Sequence, residues 1–71
     1  MIRKDSIKNT VYEHRVLRRM SQQELAQLAG VSKQTIYLME RGDYSPSLLL
    51  AFRLARIFEA DITNLFHYKE N

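Results

Sequence analysis

The side chains from Ser32 to Arg41 are the ones in this chain whose types and spacing suit chemistry with a ligand. At about 100° per residue, Lys33, Gln34, Tyr37, Leu38 and Arg41 fall on one side of a helix, and Ile36, Met39 and Glu40 on the other. The first group matches base edges and phosphates. Adenine offers N6 and N7 to the amide of Gln34, guanine offers O6 and N7 to Lys33, and Thr35 and Leu38 can touch a thymine methyl. Tyr37 and Arg41 can reach phosphate oxygens or pack on the sugar backbone, and Ser32 stands at the edge of the same face. Gln22 opens the preceding helix, where free N–H groups and the positive dipole end suit a phosphate; its amide can add a bond or brace Gln34. Arg18 and Arg19 supply further phosphate contacts. Singly, each of these residues is an ordinary solvated helix position. Tyr37 and Leu38 together on an open face call for a partner.

Such a face works only if other elements hold it. The spacing places helices over 8–19, 22–29, 33–41, 47–58 and 62–66 of one domain spanning 1–71. Asn9 or Thr10 can cap the first, along which Val11, His14, Arg15 and Arg18 form the inward stripe. Ser21 with Glu24 three residues on is the reciprocal capping-box pattern. The second helix is expected to bury Leu25, Leu28 and Ala29, with Ala26 small where another helix crosses closely. Gly30 supplies a left-handed turn, Val31 plugs it, and Ser32 caps the third helix, which Gly42 ends. Ser45 or Pro46 can start the fourth helix, whose Leu48, Ala51, Phe52, Leu54, Ala55 and Phe58 are expected to face inward. Asp61 can cap a short fifth helix carrying Ile62, Leu65 and Phe66. The head Ser6–Asn9 and the tail His67–Asn71 are short and alternating enough to pair as antiparallel strands. The class is all-α with that small pair.

Arg15 lies on the inward stripe of the first helix and Glu40 on the inward side of the third. Desolvating either alone costs several kcal/mol, so a hydrogen-bonded ion pair resolves both. It would also fix the angle of the third helix against the first.

Composition narrows the rest. A 71-residue chain has room for one small core and buries only about 60% of the surface its unfolded form exposes. Without cysteine there is no disulfide framework and no thiolate metal site, in keeping with a reducing cytoplasm. The longest apolar run, Leu48 to Phe52, is far short of the roughly 20 residues that cross a bilayer, and the N-terminus has no apolar signal core. A net charge of +3 names no partner, but residues 1–41 carry eight basic side chains against four acids and residues 42–71 three against four. The basic excess sits in the half that holds the two-helix unit.

Taken as a set, these residues resemble the phage repressor and Cro-type helix-turn-helix family, also called the XRE family. The shared pattern is Arg15; Ser21, Gln22, Glu24, Leu25, Ala26; Gly30, Val31, Ser32; Thr35, Ile36; Glu40, Gly42; and Pro46, Ser47, Leu48, continuing through Ala55 to Leu65 and Phe66. The resemblance implies a five-helix repressor-like DNA-binding domain, double-stranded operator DNA as ligand, and a homodimer on a two-fold site. By position it puts Gln22, Lys33, Gln34, Thr35, Tyr37 and Arg41 at DNA-facing places, and Arg15 and Glu40 at those of a buried ion pair. It is nearest to small single-domain regulators whose paired ends and fifth helix help form the dimer, which points to Ile7, Lys8, Leu65, Phe66, His67 and Tyr68 here. Departures from the pattern are Arg19 and Glu59 where glycine is common, His14 for a usual leucine, and Leu17 and Leu49 at usually polar places.

The function expected is therefore that of a cytoplasmic transcriptional regulator, a homodimeric repressor reading a pseudo-palindromic operator through the major groove. Catalysis is not expected: His14 and His67 have no ligand-spaced partners, and neither glycine belongs to a phosphate-cradling loop. No cofactor, metal or small-molecule effector is expected. The competing reading is an antitoxin-like or other protein-interaction module on the same fold, using Leu17, Tyr44, Leu49, Ile57 and Tyr68 as its surface.

Overall fold

A computed structural model of the chain describes residues 5–70; residues 1–4 and 71, including the last residue of the expected tail strand, lie outside the described residues. The order of elements is β1 (Asp5–Asn9), α1 (Val11–Leu17), α2 (Gln22–Ala29), α3 (Lys33–Arg41), α4 (Leu48–Phe58), α5 (Ile62–Leu65) and β2 (Phe66–Glu70). The strands pair antiparallel, with Ile7 opposite Tyr68, Lys8 opposite His67 and Asn9 opposite Phe66. Side chains and backbone tie this ribbon to the helices. The amide of Asn9 donates to the Met39 carbonyl at 2.9 Å, and Thr10 donates from its backbone to Leu65 and from its hydroxyl to Asn64, each at 2.9 Å.

The starts of α2, α3 and α4 each follow from a serine side chain that takes up an orphan N–H. The Ser21 hydroxyl accepts from the Glu24 N–H at 3.0 Å while the Glu24 carboxylate accepts from the Ser21 N–H at 2.8 Å, closing the capping box. Ser32 accepts from Thr35 N–H and Ser47 from Leu50 N–H, both at 3.1 Å. Gly30 and Gly42 end α2 and α3 at φ of +75° and +84°, in the region that excludes most side chains. Arg19 and Glu59 adopt the same left-handed backbone at +53° and +52°.

The core is one cluster: Val11 of α1, Leu25, Ala26 and Ala29 of α2, Ile36 and Met39 of α3, Leu50, Leu54, Ala55 and Phe58 of α4, and Leu65 of α5. Burying each larger member contributes about 1.5–3 kcal/mol. The fold therefore hangs α3 on the rest of the molecule through Ile36 and Met39, both fully buried.

Several expectations need correction. The first helix spans 11–17 rather than 8–19, because residues 8 and 9 are drawn into the strand and Arg19 turns left-handed. Phe66 likewise belongs to β2, not to the fifth helix. The fourth helix starts at Leu48, capped by Ser47 rather than by Ser45 or Pro46. Its inward stripe runs through 50, 51, 54, 55 and 58, which leaves Leu48 and Phe52 on the solvent side, at 72% and 54% exposed. In α2, Leu25, Ala26 and Ala29 face the neighbouring helices, and Leu28 is exposed. Asp61 precedes α5 without a side-chain capping bond, and Asn9 rather than Thr10 accepts from the first helix, taking the Val11 N–H at 3.1 Å.

Candidate nucleic-acid interface

Behind α3 stands a polar clamp. Arg15 reaches Glu40 through Nε to Oε2 at 2.6 Å and Nη2 to Oε1 at 3.1 Å, a bidentate pair between side chains only 12% and 6% exposed. Arg15 also donates Nη1 to the Met20 carbonyl at 2.8 Å, so the turn after α1 is held by the same guanidinium. Its hydrogen bond to Glu40, more than the opposing burial, raises the Arg15 pKa above the ordinary arginine value. Gln22 completes the clamp by donating Nε2 to Glu40 Oε1 at 3.0 Å. Of the two roles expected for this amide, a bond to phosphate or a brace on Gln34, the second is not seen among the described residues: its nitrogen braces Glu40 instead.

On the opposite side of α3, Lys33 and Gln34 are exposed, with no hydrogen bond or ion pair holding either side chain among the described residues. Lys33 brings three donors and Gln34 both a donor and an acceptor to base edges. Thr35 and Leu38 are half-buried beside them. The Thr35 hydroxyl lies 2.9 Å from that of Ser32, within hydrogen-bond distance. Tyr37 and Arg41 form an exposed unit one helical turn apart. Arg41 Nη1 donates to the Tyr37 hydroxyl at 3.0 Å, and the guanidinium carbon lies 5.5 Å from the ring centroid. That hydrogen bond, together with the charge of Asp43, raises the Arg41 pKa, so this side chain stays cationic at any working pH. A phenol that accepts from Arg41 keeps its own O–H to donate.

The structure separates the remaining candidates. Arg18 is committed elsewhere: it stacks over Phe58 at 5.1 Å and donates to the Phe58 and His14 carbonyls, closing the end of α4 against α1. Leu65, expected at a dimer surface, is fully buried in the core and has nothing to offer a second chain. Phe66 is half-buried, whereas Ile7 and Tyr68 are 39% and 60% exposed and meet Tyr44 around a hollow of about 400 Å³. A broader, open depression of about 1140 Å³ runs between α4 and α1, lined by His14, Phe52, Arg56 and Ile62, and lies apart from the α3 face. Reading a groove needs a protruding helix, not a cavity, so concavity is the wrong guide to this site.

Sequence reasoning missed Asp43, whose carboxylate Oδ2 lies 3.0 Å from Arg41 Nε. An acid two residues past an arginine, across a helix-ending glycine, was the available signal. It also missed Arg53, which donates to the Ala29 carbonyl at the end of α2 at 3.3 Å.

Two short helices joined by a left-handed glycine, the second clamped from behind and open in front, define a helix-turn-helix module. The chain belongs to the helix-turn-helix family of transcriptional regulators, whose pattern matches residues 11–65. It is 42% identical over 65 residues to an uncharacterised HTH-type transcriptional regulator of Methanocaldococcus jannaschii, covering 92% of this chain and 98% of that one. It is similar to the solved HTH_3 family transcriptional regulator of Vibrio cholerae, with a TM-score of 0.67 and 33% identity over 76% of this chain; the match spans 30% of that larger chain. The transcriptional regulator VanUg shares the fold at a TM-score of 0.77 and 17% identity, over 99% of this chain and 93% of its own. These relatives share the description of transcriptional regulator. No helix among the described residues is long and apolar enough to cross a membrane.

Proposed function

We propose that this chain is a sequence-specific DNA-binding repressor that acts as a homodimer on a pseudo-palindromic operator. The observation that carries the reading is the pairing of two opposite faces on α3. One is locked by Ile36, Met39 and the Arg15–Glu40–Gln22 clamp; the other leaves Lys33 and Gln34 without hydrogen-bond or ion-pair partners among the described residues. In the bound state α3 lies in the major groove. Gln34 and Lys33 read base edges, the Thr35 methyl and Leu38 meet thymine methyls, and Tyr37, Arg41 and the Ser32 end of the helix contact phosphates. Gln22 contributes through the backbone N–H groups at the start of α2, its amide holding Glu40 in place.

The homodimer is supported by the apolar side chains left outside. Ile7, Tyr44 and Tyr68 cluster at the ribbon, in line with the strand-borne contacts expected from the sequence. Two copies related by a two-fold axis present their α3 helices to successive major grooves roughly 34 Å apart. Occupying a promoter in this way blocks polymerase, which gives repression without an effector.

Selection of bound duplexes from a random pool, with the mass of the bound species measured on the winning sequence, tests this. The expected result is an inverted repeat whose half-sites are one helical turn apart, bound by two chains. Recovery of an asymmetric site bound by one chain would remove the dimer; failure to enrich any sequence would remove the sequence-specific reading.

A further inference from the structure

We infer that Asp43 is a built-in competitor of phosphate for Arg41, restraining the backbone contact made at the end of α3; the inference rests on the DNA-binding reading above. The geometry is specific. Gly42 turns left-handed at φ +84°, its N–H bonding the Met39 carbonyl and the Asp43 N–H bonding the Leu38 carbonyl, each at 2.9 Å. This double closure fixes the backbone of Asp43 directly past the helix. From there its Oδ2 sits 3.0 Å from Arg41 Nε, while Tyr37 holds Nη1 of the same guanidinium at 3.0 Å. Arg41 is therefore paired on two of its nitrogens before any ligand arrives.

A carboxylate offers a guanidinium the same planar pair of oxygens that a phosphate does. Both members of this pair are in solvent, at 57% and 51% exposed, so the clasp is weak enough to open. Phosphate must displace Asp43 to take Arg41, and the exchange cancels part of the charge that Arg41 brings to DNA. Because phosphate contacts carry no sequence information, the restraint falls equally on cognate and unrelated duplexes. Asp43 also repels DNA directly, and a double-mutant cycle separates the two effects.

The experiment uses the full chain and two duplexes of equal length, one selected and one random, with wild type, Asp43→Asn, Arg41→Gln and the double variant. Asp43→Asn is expected to tighten both duplexes in the same proportion, about two- to fivefold per protomer. Its salt dependence should steepen by up to about one unit of slope per protomer. In the Arg41→Gln background the gain from Asp43→Asn should fall below half. An equal gain in both backgrounds would overturn the proposal in favour of simple repulsion. Unchanged or weaker binding by Asp43→Asn would overturn it in favour of a role in positioning Arg41. In the free protein, Asp43→Asn should shift the Arg41 Nε–H resonance and speed its exchange; an unaltered signal removes the clasp itself. If that signal responds while wild type binds neither duplex, the DNA-binding reading fails and the pair is only a surface contact.

Discussion

Glu40 carries three hydrogen bonds from two helices, and its loss can be read without knowing any ligand. Arg15 approaches from α1 with two of them and Gln22 from the start of α2 with the third. Glu40→Ala leaves a nearly buried guanidinium and an amide without their acceptor. The expected cost is about 3–5 kcal/mol of folding stability, seen as a fall of well over ten degrees in melting temperature. A melting temperature within a few degrees of wild type would mean that Arg15 finds water or another acceptor. The exposed side is tested at Gln34, whose amide has no hydrogen bond among the described residues. Gln34→Ala is expected to lose about 1–3 kcal/mol at the selected site while binding to random duplex stays nearly unchanged. An equal loss on both would assign Gln34 to the backbone instead of the bases.

At the level of elements, the ends of helices were the most legible part of the sequence. Ser21 with Glu24, Gly30, Ser32 and Gly42 each announce a local conformation that neighbouring residues alone dictate. The capping box also has a pH signature. The Ser21 backbone N–H, and then its hydroxyl, hold the Glu24 carboxyl below the ordinary carboxylate range. A depressed folded pKa contributes stability that is present above the unfolded pKa and lost as the pH falls through the folded one. Wild type is therefore expected to gain stability over Glu24→Gln as the pH rises from strong acid through the carboxylate range, with the difference constant beyond it. Urea unfolding of the two proteins across that range measures it; parallel curves at all pH values would deny the carboxylate any part in the cap.

What the sequence did not disclose depends on contacts far along the chain. Leu28, Leu48 and Phe52 are as apolar as the residues that do face inward, and only the packing of α2 and α4 on their neighbours leaves them outside. The short first helix has the same origin, since residues 8 and 9 are helix-compatible until β2 arrives to pair with them. Ser47 was overlooked as a cap because Ser45 and Pro46 are equally good local signals for a turn. Within the site, Arg15 with Glu40 was legible because two charges on inward faces must meet. The bond from Gln22 to Glu40 was not, since an amide at a helix start has several partners within reach.

For the molecule as a whole, one small core supports two outward surfaces with different chemistry. The α3 face is polar and basic, with the family pattern behind it. The ribbon and α4 carry exposed apolar side chains, Ile7, Tyr68, Leu48, Leu49 and Phe52 among them, which a small domain tends to cover in an assembly. We propose that DNA meets the first surface and a second copy of the chain meets the ribbon. Amide chemical shifts of the labelled full chain, followed during titration with the selected duplex, test that assignment most directly. The changes are expected to centre on residues 32–41 and the start of α2, with the core of α4 little moved. Shifts centred on α4 or the ribbon, with Lys33 and Gln34 unmoved at saturation, would contradict it.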